Sequence, residues 1–163
     1  MNKNKKSNQN NKVEHSPFFI ELRLILLIAA INFVVMFFHI YGMINSWGDF
    51  YVNLNQIYIA GAMVGTGTVI EVLLMHKAHK SKKLVVVTAV AGTVLFIFCF
   101  YATRGQWFID DRQFARSMIP HHSGTILMCR RANLKDRELI EWCQKTIDSH
   151  ERAIDELREI LGK

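Results

Sequence analysis

Three long apolar runs dominate the first two thirds of the chain and limit what it can fold into. They cover about residues 18–43, 52–75 and 84–101, and each contains few charged side chains. A helix needs about 20 apolar residues to cross the roughly 30 Å hydrocarbon core of a bilayer. The first two runs reach that length, and the third is slightly short but within the usual range. The sequence therefore predicts a three-helix membrane domain over 17–103 and a separate tail over 104–163.

The distribution of lysine around these runs predicts how the chain is oriented. Four lysines precede the first run and four lie between the second and third, namely Lys3, Lys5, Lys6, Lys12, Lys77, Lys80, Lys82 and Lys83. The loop between the first two runs contains no Lys or Arg, and its one charged residue is Asp49. Since short loops rich in Lys and Arg stay in the cytoplasm, the N-terminus and the second loop are expected there. The tail is then periplasmic or extracellular.

The basic composition is a topology signal and does not indicate a nucleic-acid partner. The chain has a formal net charge of +6, yet the tail carries 11 Lys and Arg against 10 Asp and Glu. The excess lies mostly next to the apolar runs, where it orients the chain in the membrane. Residues 1–16 are rich in Asn and Lys, and we predict that they form a disordered basic cytoplasmic leader. The predicted partner is the lipid bilayer, with no nucleic acid.

The tail has the pattern of an antiparallel helical hairpin. A first helix is expected from about 110 to 132, with Asp110 and Asp111 where the helix dipole favours anions. The segment 133–136 is the turn, and Asp136 is the predicted N-cap of a second helix that ends near residue 161. In the second helix, apolar residues recur at steps of three and four, as expected of a buried stripe. The fold class is therefore all-α, with three transmembrane helices followed by half of a four-helix bundle.

Imidazole and thioether side chains lie together on the inner stripes of these two tail helices. The antiparallel register places residues 118–122 level with about 147–151, so that both helices contribute side chains to one cluster. The candidate metal ligands are Met118, His121, His122, Met128 and His150. Because seven residues make nearly two helical turns, Asp111 and Thr125 share a face with Met118 and are expected to lie beside these ligands.

Two cysteines lie one or two turns from this cluster. Cys129 and Cys143 face an oxidising compartment if the tail is extracytoplasmic, so the pair is predicted to be either metal ligands or a disulfide. Thioether, imidazole and thiolate donors together favour soft ions such as Cu(I) and Ag(I), and no organic cofactor is predicted. The alternative is that Met118 and Met128 pack the core while the histidines satisfy hydrogen bonds at its wet edge.

The segment FARSMIPHHSGTILM resembles the bacterial domain-of-unknown-function 305 family. The matching residues are Asp111, Phe114, Met118, His121, His122 and Met128. The three spans before the tail also look like the membrane-bound branch of that family, which implies a location at a bacterial cytoplasmic membrane. The resemblance implies a ferritin-like helical fold, an association with copper or silver binding and metal resistance, and a metal site made of Met118, His121, His122 and Met128.

The second tail helix departs from the pattern of that family. Its usual Q-x-x-E-I-x-x-M reads here as His150, Ala153, Ile154 and Leu157. Either His150 takes over a ligand role, which gives a more histidine-rich site, or the site is degenerate.

Two functions from different classes follow from these observations. The first is a membrane-anchored Cu(I) or Ag(I) binding protein at the outer face of the membrane, which buffers the metal, hands it to copper-handling proteins or gives resistance. The second is a structural or accessory membrane-assembly subunit with no metal. An enzyme is not predicted, because no nucleophile with an adjacent base is visible. A two-helix hairpin hides its apolar stripe poorly, so we expect it to pack against the spans or to form a homo-oligomer that completes a four-helix bundle.

Overall fold

The computed structural model describes residues 17–162, and the predicted disordered leader lies outside this range. Within it the chain is all helical, with five α-helices, one short 3₁₀ helix and no strand. The helices are α1 (Pro17–Tyr41), α2 (Leu54–Leu74), α3 (Lys82–Gly105), α4 (Asp111–Arg131) and α5 (Arg137–Gly162), and the 3₁₀ helix is Trp47–Asp49. The predicted fold class, in which three apolar helices precede a helical hairpin, is confirmed.

Helices α1, α2 and α3 are long and apolar enough to cross a membrane, judged by length and composition. Most of their side chains are exposed, which suits helices whose sides face lipid tails. The observed bounds of α1 and α2 lie within two residues of the predicted ends. Helix α3 differs more, because it continues through Arg104 to Gly105 instead of ending near residue 101.

One compact unit comprises 17–36 and Ala60–Tyr101. In it α2 and α3 approach so closely that a Cβ built on Gly65 would lie 2.7 Å from the carbonyl oxygen of Gly92. A Cβ on Gly92 would in turn lie 2.8 Å from the carbonyl oxygen of Gly65. Membrane helices commonly use small residues for such contacts, since packing drives their association. The glycine pattern in GAMVGTG, at Gly61 and Gly65, therefore marks the face of α2 that contacts α3.

The second unit comprises Phe37–Ile59 and 102–162, so it joins the loop between α1 and α2 to the hairpin. The predicted division at residues 103 and 104 had grouped this loop with the spans. The apolar core of the unit consists of Ile119 and Ile126 from α4 and Ile154 from α5, with Tyr51 from the loop packed against them. The loop therefore contributes directly to the core beneath the hairpin.

Helix α4 contains a proline whose effect on the backbone explains one contact of the loop. Pro120 has no N–H, so the carbonyl oxygen of Arg116, four residues earlier, has no partner within the helix. The side-chain amide of Asn53 donates to this oxygen at 3.4 Å and also donates to the carbonyl of Tyr51 at 2.9 Å. Asn53 is itself buried. The helix remains continuous from Asp111 to Arg131, and the loop supplies the missing donor.

Local capping fixes the ends of the two hairpin helices. The side chain of Asp110 accepts a hydrogen bond from the backbone N–H of Gln113 at 2.7 Å, which caps α4. Asp136 accepts from the N–H of Leu139 at 2.9 Å at the start of α5. These are the carboxylates expected at helix N-termini, where free N–H groups need acceptors. They leave 132–136 as the turn between the helices.

Candidate metal centre

Two histidines from different helices meet at the centre of the hairpin. His122 on α4 and His150 on α5 have ring centroids 4.4 Å apart in a T-shaped contact. The Nδ1 atoms of both rings are buried, and no described residue forms a hydrogen bond with either of them. Buried polar atoms nearly always have a partner, since an unpaired one costs free energy. Each ring therefore has one buried nitrogen that forms no hydrogen bond with a described residue.

His121 lies beside this pair but points away from it. Its ring centroid is 5.9 Å from that of His122, and its side chain is exposed whereas that of His122 is half-buried. Consecutive helical residues differ in direction by about 100° because a turn contains 3.6 residues. One residue of the His-His pair therefore faces the partner helix and the other faces solvent.

The environment of His122 favours its neutral form. Burial lowers the pKa of this imidazole below the ordinary histidine value of 6.5, and the neighbouring imidazoles of His150 and His121 lower it further. An imidazole binds a metal through a deprotonated nitrogen. His122 is therefore held in the protonation state that a metal ligand requires.

The other predicted ligands and neighbours occupy different surroundings. Met118 is half-buried and lies one helical turn before His122 on α4, whereas Met128 is 52% exposed. Asp111 is exposed in the first turn of α4. The hydroxyl of Thr125 donates to the carbonyl of His121 at 3.4 Å, and Thr125 lines the same cleft as His150. Within 17–162, no three side chains of the His, Cys, Asp and Glu types are grouped closely enough to hold a metal.

The two cysteines of the hairpin form a disulfide. Cys129 and Cys143 are bonded, with their Cα atoms 5.3 Å apart. Cys129 follows His122 by seven residues and Cys143 precedes His150 by seven, so the bond lies on the same seam, about 10.5 Å along the helices. While the bond is intact, neither sulfur is a thiolate ligand.

The predicted pairing of the two hairpin helices was wrong by nearly one turn. It placed His122 level with residue 147, whereas the structure places it level with His150.

A second polar cluster was not predicted. Asp49, which is 4% exposed, accepts hydrogen bonds from the hydroxyl of Ser123 at 2.5 Å and from the guanidinium of Arg158 at 2.6 Å. The hydroxyl oxygen of Ser123 also accepts from the backbone N–H of Asn45 at 2.8 Å. One signal could have pointed to this cluster, because Asp49 is the one charged residue of the first loop. In the sequence analysis this residue served only to predict topology. This cluster joins the loop to both hairpin helices.

Comparison with known proteins gives one informative similarity. The chain is 33% identical over 147 residues to a protein of Acanthamoeba polyphaga mimivirus named "Uncharacterized protein L153". The matched region covers 86% of this chain and 92% of the viral protein. No family model matches the chain, and no solved structure matches it. The resemblance to the domain-of-unknown-function 305 family therefore stays a prediction.

Proposed function

We propose that this chain, which belongs to the same family as the mimiviral protein, is a membrane-anchored protein that binds a soft metal ion in the seam between α4 and α5. The observation that carries this proposal is the contact between His122 and His150, whose two Nδ1 atoms are both buried without a hydrogen-bond partner among the described residues. A bound cation would give both lone pairs a partner and remove the cost of leaving them unpaired.

The donor set favours Cu(I) or Ag(I). Imidazole suits copper, and the thioether of Met118, one turn away on α4, is a soft donor of the kind that selects Cu(I). Monovalent copper and silver accept few ligands, which suits a site built from two imidazoles. Magnesium and calcium require several oxygen ligands, and the lining of this seam is poor in carboxylates. His122 and His150 would hold the ion, and Met118 is the next donor along the seam.

The apolar helices and the lysine distribution support a location at the outer face of a membrane. Helices α1 to α3 supply the anchor, and the lysines between α2 and α3 favour a cytoplasmic position for that loop. The hairpin then lies on the opposite side, where it would buffer the metal or hand it to a copper-handling protein. The order of Met, His-His and Met in α4 supports the same role through the family resemblance.

The proposal is tested by titrating the purified full-length protein with Cu(I) against a competing chelator in detergent. We expect the wild type to take up one ion, and the His122→Gln/His150→Gln variant to take up none. His76→Gln is the matched control, because His76 is an exposed histidine just after α2, outside the hairpin, whose ring lies 2.9 Å from the backbone carbonyl oxygen of Leu73. Uptake that the double substitution leaves unchanged, or no uptake by the wild type, would refute the proposal.

A second candidate function is a structural or accessory subunit of a membrane assembly. It is favoured by three apolar side chains at the turn end of α5, Leu139, Ile140 and Trp142, which are 51%, 48% and 57% exposed. Such side chains suit contact with another protein or with a second copy of the chain. In this case the histidine substitutions would lower stability, while the metal content of the wild-type protein would already be zero.

A further inference from the structure

A cleft of 270 Å³ opens on one side of the seam and includes one of the two central histidines. Its lining residues are polar or aromatic and come from both hairpin helices: Thr125, Trp142, Lys145, Thr146, Ser149 and His150. Sites for drug-sized molecules usually measure about 300–1,000 Å³, so this cleft suits a small ligand or the end of a larger one.

The charge of the cleft favours an anion. Lys145 is its one cationic residue, and its lining contains three hydroxyl groups and no carboxylate. The two carboxylates one turn from Lys145 on α5 accept hydrogen bonds from other residues, since Glu141 accepts from Arg137 and Asp148 from Gln144. Within 17–162 no salt bridge involves Lys145. Its ammonium group is therefore available to a ligand in the cleft.

A monovalent metal held by His122 and His150 would carry a positive charge, and His150 lines the same cleft as Lys145. Because like charges repel, an anionic third ligand in the cleft would make the loaded site electrostatically more favourable. A soft metal prefers a thiolate among anions. The chain has no thiolate to offer there, because Cys129 and Cys143 are bonded to each other and Cys99 is buried within α3, in the other unit.

We infer that the cleft beside His150 binds the thiolate of a small thiol compound, and that the soft metal enters and leaves the hairpin as its thiolate complex. This inference rests on the proposed function. In the exchange, a bis-thiolate complex of the metal loses one thiolate as the two imidazole nitrogens bind. The other thiolate stays on the metal near Lys145, Thr146 and Ser149. The metal remains monovalent and no electron is transferred.

The test measures metal and thiol together on the full-length protein in detergent. Protein is equilibrated with Ag(I) and radiolabelled glutathione, separated from free ligand by gel filtration, and analysed for silver and label. We expect the wild type to retain about one thiol for each silver ion. Lys145→Gln should weaken thiol retention about two- to fivefold, the effect of losing an exposed charge pair. The control Lys135→Gln removes a lysine from the turn, outside the cleft, and should retain thiol as the wild type does.

The outcomes separate this inference from the proposed function. Silver uptake by the wild type without thiol, or equal thiol retention by Lys145→Gln, would overturn the inference and leave the metal site in place. No silver uptake would overturn both. The same measurement on Cys129→Ala/Cys143→Ala excludes a mixed disulfide, because label that depends on these cysteines and not on silver would also overturn the inference.

Discussion

The buried carboxylate of Asp49 gives a prediction whose size follows from the structure. Its side chain is 6% exposed and is the shared acceptor of Ser123 and Arg158. Asp49→Ala leaves the hydroxyl of Ser123 as a buried donor without its acceptor, which costs about 1–3 kcal/mol. The guanidinium of Arg158 is 40% exposed, so water replaces much of the lost ion pair and adds only about 0.5–1 kcal/mol. We therefore expect the free energy of unfolding to fall by roughly 1.5–4 kcal/mol.

The order of a small set of variants makes this reasoning refutable. Asp49→Ala and Arg158→Gln should be the least stable, because Arg158→Gln leaves the buried carboxylate of Asp49 without its counter-charge, and Ser123→Ala should be intermediate. Asp155→Ala is the control, because Asp155 is an exposed second partner of Arg158 at 3.4 Å and should contribute little. Stability is measured by chemical unfolding of the full-length protein in detergent micelles. If Asp155→Ala proved as destabilising as Asp49→Ala, burial would not be what gives the Asp49 contacts their strength.

Two further predictions concern the helix contact and the central histidine. Gly65→Ala should lower stability by about 1–3 kcal/mol, because its Cβ would meet the backbone of α3, whereas Gly67→Ala, with nothing within 4 Å, should be neutral or slightly stabilising in the same thermal unfolding assay. Equal effects of the two substitutions would contradict the close approach. For His122, the folded state has a lowered pKa and so binds fewer protons than the unfolded state at mildly acidic pH. In the metal-free protein, neutral His122 should therefore make its full contribution to stability above the unfolded pKa of 6.5. That contribution should be lost as the pH drops through the lower folded value. His122→Gln should reduce this fall and His76→Gln should not, and an unchanged pH profile in His122→Gln would show that another group is responsible.

The helices were predictable because their signals are local. The apolar runs are long enough to be recognised by length alone, and Asp110 and Asp136 cap the hairpin helices as their positions indicated. The contact between His122 and His150 was also predicted in outline, since both residues lie on the inner stripes of adjacent helices. The predicted register of the two helices was wrong by nearly one helical turn. The backbone path of the connection at 132–136 sets the pairing of the helices, and its sequence does not specify that path.

The association of the first loop with the hairpin could not be predicted from the sequence. Asp49 is 74 residues from Ser123 and 109 residues from Arg158, and nothing near any of the three residues indicates the contact. The sequence shows that Pro120 leaves the carbonyl of Arg116 without its helical hydrogen bond. The amide that donates to this carbonyl belongs to Asn53, which is 63 residues away. Such contacts depend on how separate elements fold together, and the hydrophobic pattern of one segment does not contain that information.

The oxidation state of Cys129 and Cys143 in the cell would report the compartment in which the hairpin lies. Disulfides persist in oxidising compartments and are rare where thiol buffers keep cysteines reduced. Both sulfurs belong to the same short hairpin, so the bond can form without a partner chain and without any distant part of the molecule. Whether Cys129 and Cys143 resist alkylation in freshly isolated membranes would therefore report the side of the bilayer on which the hairpin of the native, untagged chain lies.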